Sequence, residues 1–159
     1  MNTTAYKDQI FAEPLQSVAS FSFDARVADV FDDMIERSVP GYRSIVTQTG
    51  LLAQRFARQN TCCYDLGCSL GASTFAMRQQ LNAGQHKIIA IDNSKPMLER
   101  MQARLQADSA TVPVELKHAD ISTMDFADPC SVAVLNFTLQ FLAPQHSCLL
   151  YTSPSPRDS

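Results

Sequence analysis

Three carboxylates and an amide, Asp65, Asp92, Asp120 and Asn136, each stand at or just beyond the end of a short apolar run. In an open parallel α/β sheet that is the edge where ligands bind. The first run leads into YDLGCSLGAST, Tyr64 to Thr74, and the second is IIAIDNS, Ile88 to Ser94. Cys62, Cys63, Tyr64 and Leu66 read as a strand, Gly67 and Gly71 open a turn, and 72–81 has helical character. A strand, a glycine turn and a helix in that order let a ligand lie against bare backbone at a helix N-terminus. Asp92 follows Gly71 by 21 positions, the spacing at which an acid reaches ribose hydroxyls in βαβ nucleotide folds. The glycines do not match the dinucleotide signature G-x-G-x-x-G, because Ser69 takes the middle place and Asp65 precedes them. An acid there repels phosphate and attracts cationic or hydrogen-bond-donating groups. The pattern favours S-adenosylmethionine (SAM), which carries an ammonium and a cationic sulfur, and it calls for no metal.

The elements that must position these groups follow from periodicity. Val27, Val30, Phe31, Met34 and Ile35 recur at helical spacing and read as a core stripe, not a cofactor contact. Pro40 and Gly41 break that period within SVPGY, and a second helix runs on through Ile45, Leu52 and Phe56. Tyr42, just after the break, is a candidate lid or simply a cap on the helix pair. Ser94 is placed to cap a helix with Pro96 in its first turn and an apolar face of Met97, Leu98, Met101 and Leu105. Further strands are expected at 87–91, 114–117 and 132–135, the last a continuous apolar run of the kind covered on both faces. The fold class is therefore α/β and Rossmann-like, with N-terminal helices and about four parallel strands.

Composition sets the bounds. With 159 residues, 45% apolar and 18% charged, the chain has one domain's worth of sequence. It shows no membrane-length apolar run and begins MNTTAYKDQ without a signal-peptide pattern, so a cytoplasmic location is expected. The cysteines at 62, 63, 68, 130 and 148 lack paired C-x-x-C spacing and are expected to be reduced and mostly buried. Net charge is −3 and the 13 basic residues are scattered, which does not signal direct nucleic-acid binding. From about Ser147 the chain reads SCLLYTSPSPRDS, a Pro/Ser tail that cannot extend a helix or a central strand. Residues 1–146 are accordingly read as a partial SAM-binding domain and 147–159 as a tail foreign to it. The fourth strand would then be a long, unpaired edge, an expectation of C-terminal truncation.

The strings FDARVADVFDDMI, RSVPGY, YDLGCSLGAS, KIIAIDNS, HADI and VLNFTLQFL resemble the carboxy-S-adenosyl-L-methionine synthases, a branch of the class I SAM-dependent methyltransferase superfamily. The resemblance runs from Phe21 to Leu142. It implies that Gly67, Cys68 and Ser69 cradle the methionyl and ribose part of SAM, and that Asp92 accepts from the ribose hydroxyls with Asn93 beside the adenine. It implies that Asp120 and Ile121 recognise adenine, that Asn136 faces the sulfonium, and that Tyr42 closes over the transferred group. Helix capping or loop solvation is the plainer alternative for Asp92 and Asp120, and for Cys68 a small residue tolerated by the turn. The implied reaction converts SAM and prephenate to carboxy-SAM and phenylpyruvate, by capture of carbon dioxide at the deprotonated sulfonium methyl. No catalytic acid or base is singled out. The product would serve a separate enzyme that modifies the wobble uridine of tRNA, and the full-length protein is expected to be a homodimer. In the family an arginine beyond residue 159 holds the new carboxylate, and Arg157 does not match it, so the chain as given is expected to be impaired. An ordinary methyltransferase and a non-catalytic SAM-binding remnant are the alternatives.

Overall fold

The computed structural model describes residues 25–142; the tail at 147–159, Cys148 and Arg157 lie outside them. Helices α1 (Ala25–Ser38) and α2 (Tyr42–Phe56) precede strand β1 (Thr61–Leu66). Helix α3 (Ala72–Gln80), strand β2 (His86–Asp92), helix α4 (Lys95–Ala107), strand β3 (Val114–His118) and strand β4 (Cys130–Val134) follow, with a 3₁₀ turn at Leu139–Phe141. The four strands form one sheet in the order β3-β2-β1-β4, every pair parallel. The chain winds outward from β1 through β2 to β3 and then returns to the other side of β1. The topological switch point, where such sheets bind ligands, therefore lies between β1 and β4.

Alternation along the strands separates two apolar layers. Cys63, Ile88 and Val134 pack with Ala53 of α2 and Met77 of α3, while Cys62, Tyr64, Leu66, Ile89 and Ile91 face the opposite side with Ile121. On that side the Tyr64 ring meets Phe126 edge-on, with centroids 5.3 Å apart. Ala90, Leu98 and Met101 seat α4 against the sheet beside Cys68. The helix starts where Ser94 accepts a hydrogen bond from the Met97 amide, with Pro96 in the first turn. Cys62, Cys63 and Cys68 are buried free thiols and Cys130 is partly buried. Among the described residues no helix is long and apolar enough to cross a membrane.

The apolar residues that mark α2 in the sequence are turned outward: Ile45, Leu52 and Phe56 are 38%, 53% and 56% exposed. The buried positions are Gly50 and Ala53, because α2 and α3 approach so closely that a Cβ on Gly50 would stand 2.6 Å from the Ala76 carbonyl oxygen. Only the smallest side chains fit that seam. Strand β4 begins two residues earlier than expected, is only five residues long, and is partly exposed rather than covered on both faces, with Ala133 open. It occupies an edge of the described sheet, which explains why an apolar run need not mean full burial. The helix predicted over 72–81 ends at Gln80, with Leu81 in extended backbone.

Candidate functional site

The parallel register brings the strand ends level: Leu66 lies opposite Ile91, Asp92 opposite His118, and Asp65 opposite Val134. Over that edge opens a cavity of about 740 Å³, within the size range of small-molecule sites. Gly67, Cys68 and Ser69 line it from the turn after β1, Asp92 and Asn93 from the end of β2, Asp120 and Ile121 from beyond β3, and Asn136 from beyond β4. Tyr42 lines it from the first turn of α2. All nine residues singled out in the sequence thus share one cavity.

The turn after β1 is built for close approach. Gly67 and Gly71 have φ of 79° and 87°, and Ser69 also has positive φ, 51°, in the left-handed region that glycine enters without strain. A Cβ on Gly67 would sit 2.5 Å from Thr138 Oγ1, whose hydroxyl donates to the Leu66 carbonyl at 2.7 Å. Four amides of this turn, those of Gly67, Cys68, Ser69 and Gly71, are engaged within the protein. Those of Gly67 and Cys68 donate to the Ile91 carbonyl at 2.8 and 2.9 Å, and that of Gly71 donates to Cys68. The Ser69 amide donates to Asp92 Oδ2 at 2.8 Å. A phosphate cradle needs such amides free; this one offers backbone surface and carbonyl oxygens instead.

Asp65 completes the same logic. Its side chain is 2% exposed and accepts the Thr74 hydroxyl at 2.6 Å from the first turn of α3. The protein's own carboxylate thereby takes the helix N-terminus that an anion would otherwise occupy. Burial pushes the Asp65 carboxyl up to about 6, against the lowering effect of its hydrogen bonds to Thr74. Burial likewise raises Asp92, opposed by amides of Ser94, Ser69 and Asn93. Asp92 Oδ1 accepts the Ser94 amide at 2.8 Å, so both of its oxygens hold the loops together. Each keeps a further lone pair for a ligand. Asp120 makes a local turn, its Oδ1 accepting the Ser122 amide and hydroxyl at 2.9 and 2.7 Å. His118 Nε2 lies 3.0 Å from the Asn93 carbonyl oxygen and ties the ends of β2 and β3 together. The Cys68 thiol is raised well above its ordinary range by burial and the charges of Asp65 and Asp92, which suits a packing residue and not a nucleophile.

An aromatic pair forms the roof. Gly41, with φ of 76°, turns the chain into α2, and the Tyr42 ring stands 6.0 Å from the ring of Phe137. Phe137 holds φ of 60°, a left-handed conformation costing about 1 kcal/mol or more for a residue with a Cβ. Strain of this kind concentrates at functional sites. Burial, followed by the charges of Asp32 and Asp65, pushes the Tyr42 hydroxyl up to about 12, so it stays a neutral donor.

The helical stripe of α1, read from sequence as core alone, also reaches the ligand space. Val27, Ala28 and Phe31 pack with Leu70 and Met97, but Phe31, Met34 and Ile35 line the cavity. The helix shields one wall of the site and is held to α4 from its middle by the ion pair of Asp32 with Arg104 at 2.6 Å. Phe137, Ser73 and His118 line the cavity and were missed as site residues. Phe137 adjoins Asn136 and Ser73 opens a helix after the glycine turn, so proximity in sequence was a usable signal for both.

Residues 63–151 match the family model of a methyltransferase domain. The carboxy-S-adenosyl-L-methionine synthase of Photobacterium profundum is 49% identical over 146 residues, 92% of this chain and 59% of that protein. The protein of the same name from Photorhabdus laumondii is 52% identical over 139 residues, 87% and 55% of the two chains. The chain therefore spans less than two thirds of the curated relatives it matches. Among solved structures, a Methanococcus maripaludis protein assigned as an S-adenosyl-L-methionine-dependent methyltransferase superposes with a TM-score of 0.65 at 19% identity, over 84% of this chain and 59% of that one. That likeness shows the Rossmann-like methyltransferase fold.

Proposed function

We propose, since the chain belongs to the methyltransferase-domain family and is a relative of the carboxy-S-adenosyl-L-methionine synthases within it, that its cavity binds SAM and serves carboxy-SAM synthesis. The observation that carries the SAM reading is the buried Asp65 carboxylate at the N-terminus of α3, beside a turn in which the amides of Gly67, Cys68, Ser69 and Gly71 are already engaged. A site so furnished rejects a phosphate and suits an ammonium and a sulfonium. In this reading the turn at Gly67, Cys68 and Ser69 lies along the methionyl and ribose part, Asp92 takes ribose hydroxyls, and Asn93, Asp120 and Ile121 surround the adenine. Asn136 and Tyr42 stand at the sulfonium end.

The second substrate is prephenate, which loses its ring carboxylate as carbon dioxide and its ring hydroxyl as hydroxide; the carbon dioxide is captured by the deprotonated sulfonium methyl, the proton joins the hydroxide, and the products are carboxy-SAM, phenylpyruvate and water. The bound sulfonium supplies the acidity of its own methyl group. The residues of this chain hold the reactants together, exclude water behind the Tyr42–Phe137 roof and present neutral or acceptor groups to the cation. Carboxy-SAM then passes to a separate cytoplasmic enzyme that modifies the wobble uridine of tRNA, and the full-length protein works as a homodimer.

Incubation with SAM and prephenate carrying an isotopic label in its ring carboxylate, followed by mass spectrometry, tests the reaction. Labelled carboxy-SAM is the expected product. The family model's own description favours methyl transfer as the second reading; S-adenosylhomocysteine with a methylated acceptor would establish it and overturn the first.

A further inference from the structure

Resting on the SAM reading, we propose that Thr49 and Ser73 are positioning residues that fix which end of the Asn136 amide meets the ligand. An asparagine amide carries two N–H donors at one end and an acceptor oxygen at the other, and rotating it by half a turn exchanges them. Here the choice is determined by Thr49. Its single hydroxyl proton is donated to the Ile45 carbonyl at 2.9 Å within α2, so toward Asn136 it can only accept. Asn136 Nδ2 fills that need at 3.0 Å and donates a second bond to Ser73 Oγ at 2.9 Å. The opposite orientation would set the amide oxygen against the Thr49 hydroxyl, whose proton is committed to Ile45, and that contact would carry no hydrogen bond.

Two hydroxyls, one from α2 and one from the first turn of α3, thereby hold both N–H groups away from the ligand. What remains for the cavity, which Asn136 lines, is Oδ1. This oxygen accepts no hydrogen bond from the described residues and is not sealed in the interior. An acceptor aimed at the reacting end attracts a sulfonium and its polarised methyl C–H groups, and it gains nothing from the lone pairs of a neutral thioether. The arrangement is thus a specificity device that distinguishes SAM from S-adenosylhomocysteine, two ligands that differ only at sulfur.

Calorimetric titration of the whole chain with both ligands reads that discrimination as the ratio of their dissociation constants. Thr49→Val and Ser73→Ala each remove one hydroxyl and free the amide to rotate, and the ratio is expected to fall by about tenfold in the double variant. Thr49→Ser keeps the acceptor and should keep the ratio. General loosening of the fold weakens both ligands alike and leaves the ratio unmoved, so a merely structural role is separated from a positioning one. Should Thr49→Val fail to fold, as judged by circular dichroism, Ser73→Ala alone carries the test from the other helix. An unchanged ratio in folded variants overturns the proposal. Failure of the unaltered chain to bind either ligand refutes the SAM reading itself, and the inference falls with it.

Discussion

Replacing Asp65 by asparagine should stabilise the fold and weaken its ligand. The carboxyl is raised from 3.8 to about 6 chiefly by burial, a displacement of roughly two units, equivalent to about 3 kcal/mol. The sign follows from where the proton is held more tightly. In the folded chain the group keeps its proton up to about pH 6, whereas in the unfolded chain it loses it near 3.8. Wild-type stability associated with this group is therefore full below about pH 4 and falls as pH rises through 6, and above that the whole cost of a buried charge is present. Asp65→Asn retains an oxygen for the Thr74 hydroxyl, bonded in the wild type at 2.6 Å, and carries no charge at any pH. Its advantage should grow from near zero at pH 4 to as much as about 3 kcal/mol above pH 7, reduced by whatever the new N–H groups fail to bond. Denaturant unfolding of both chains at intervals from pH 4 to 8 gives the difference directly. Under the same conditions SAM should bind roughly tenfold to a hundredfold more weakly to the variant, because the charge facing the ammonium is gone. A difference in stability that does not vary with pH, or a variant less stable than wild type at pH 8, would refute this account of Asp65.

Three further outcomes follow from the same structure. SAM affinity for the unaltered chain should decline as pH falls below about 6, approaching tenfold per unit, because Asp65 must release its proton to meet a cation; titration in buffers of differing ionisation enthalpy would show one proton released. Gly67→Ala places a Cβ 2.5 Å from Thr138 Oγ1 at a φ of 79° and should cost roughly 2–4 kcal/mol in thermal unfolding, with the Thr138 hydroxyl pulled from the Leu66 carbonyl. Gly50→Ala forces α2 from the Ala76 carbonyl, which its Cβ would meet at 2.6 Å. A loss of about 2 kcal/mol or more in denaturant unfolding is expected.

Much of the site was legible because its signals are local. The glycine turn, the strand that feeds it and the Ser94 cap are each written within a few residues, and a parallel strand that ends in a polar residue announces its own binding edge. The 21-residue interval from Gly71 to Asp92 needs only one helix and one strand to acquire meaning. Tertiary structure alone determined what is made between distant segments. Sheet order placed β4 beside β1, and that brought Asn136 to Thr49 and Ser73, 87 and 63 positions away in the chain. No periodicity could show that α2 turns Ile45, Leu52 and Phe56 outward, because the choice lies in how near α3 approaches Gly50. Nor could it show that the α1 stripe serves both core and cavity. Residue types state which bonds a side chain is able to make; only packing determines which of them are already made and which are left for a ligand.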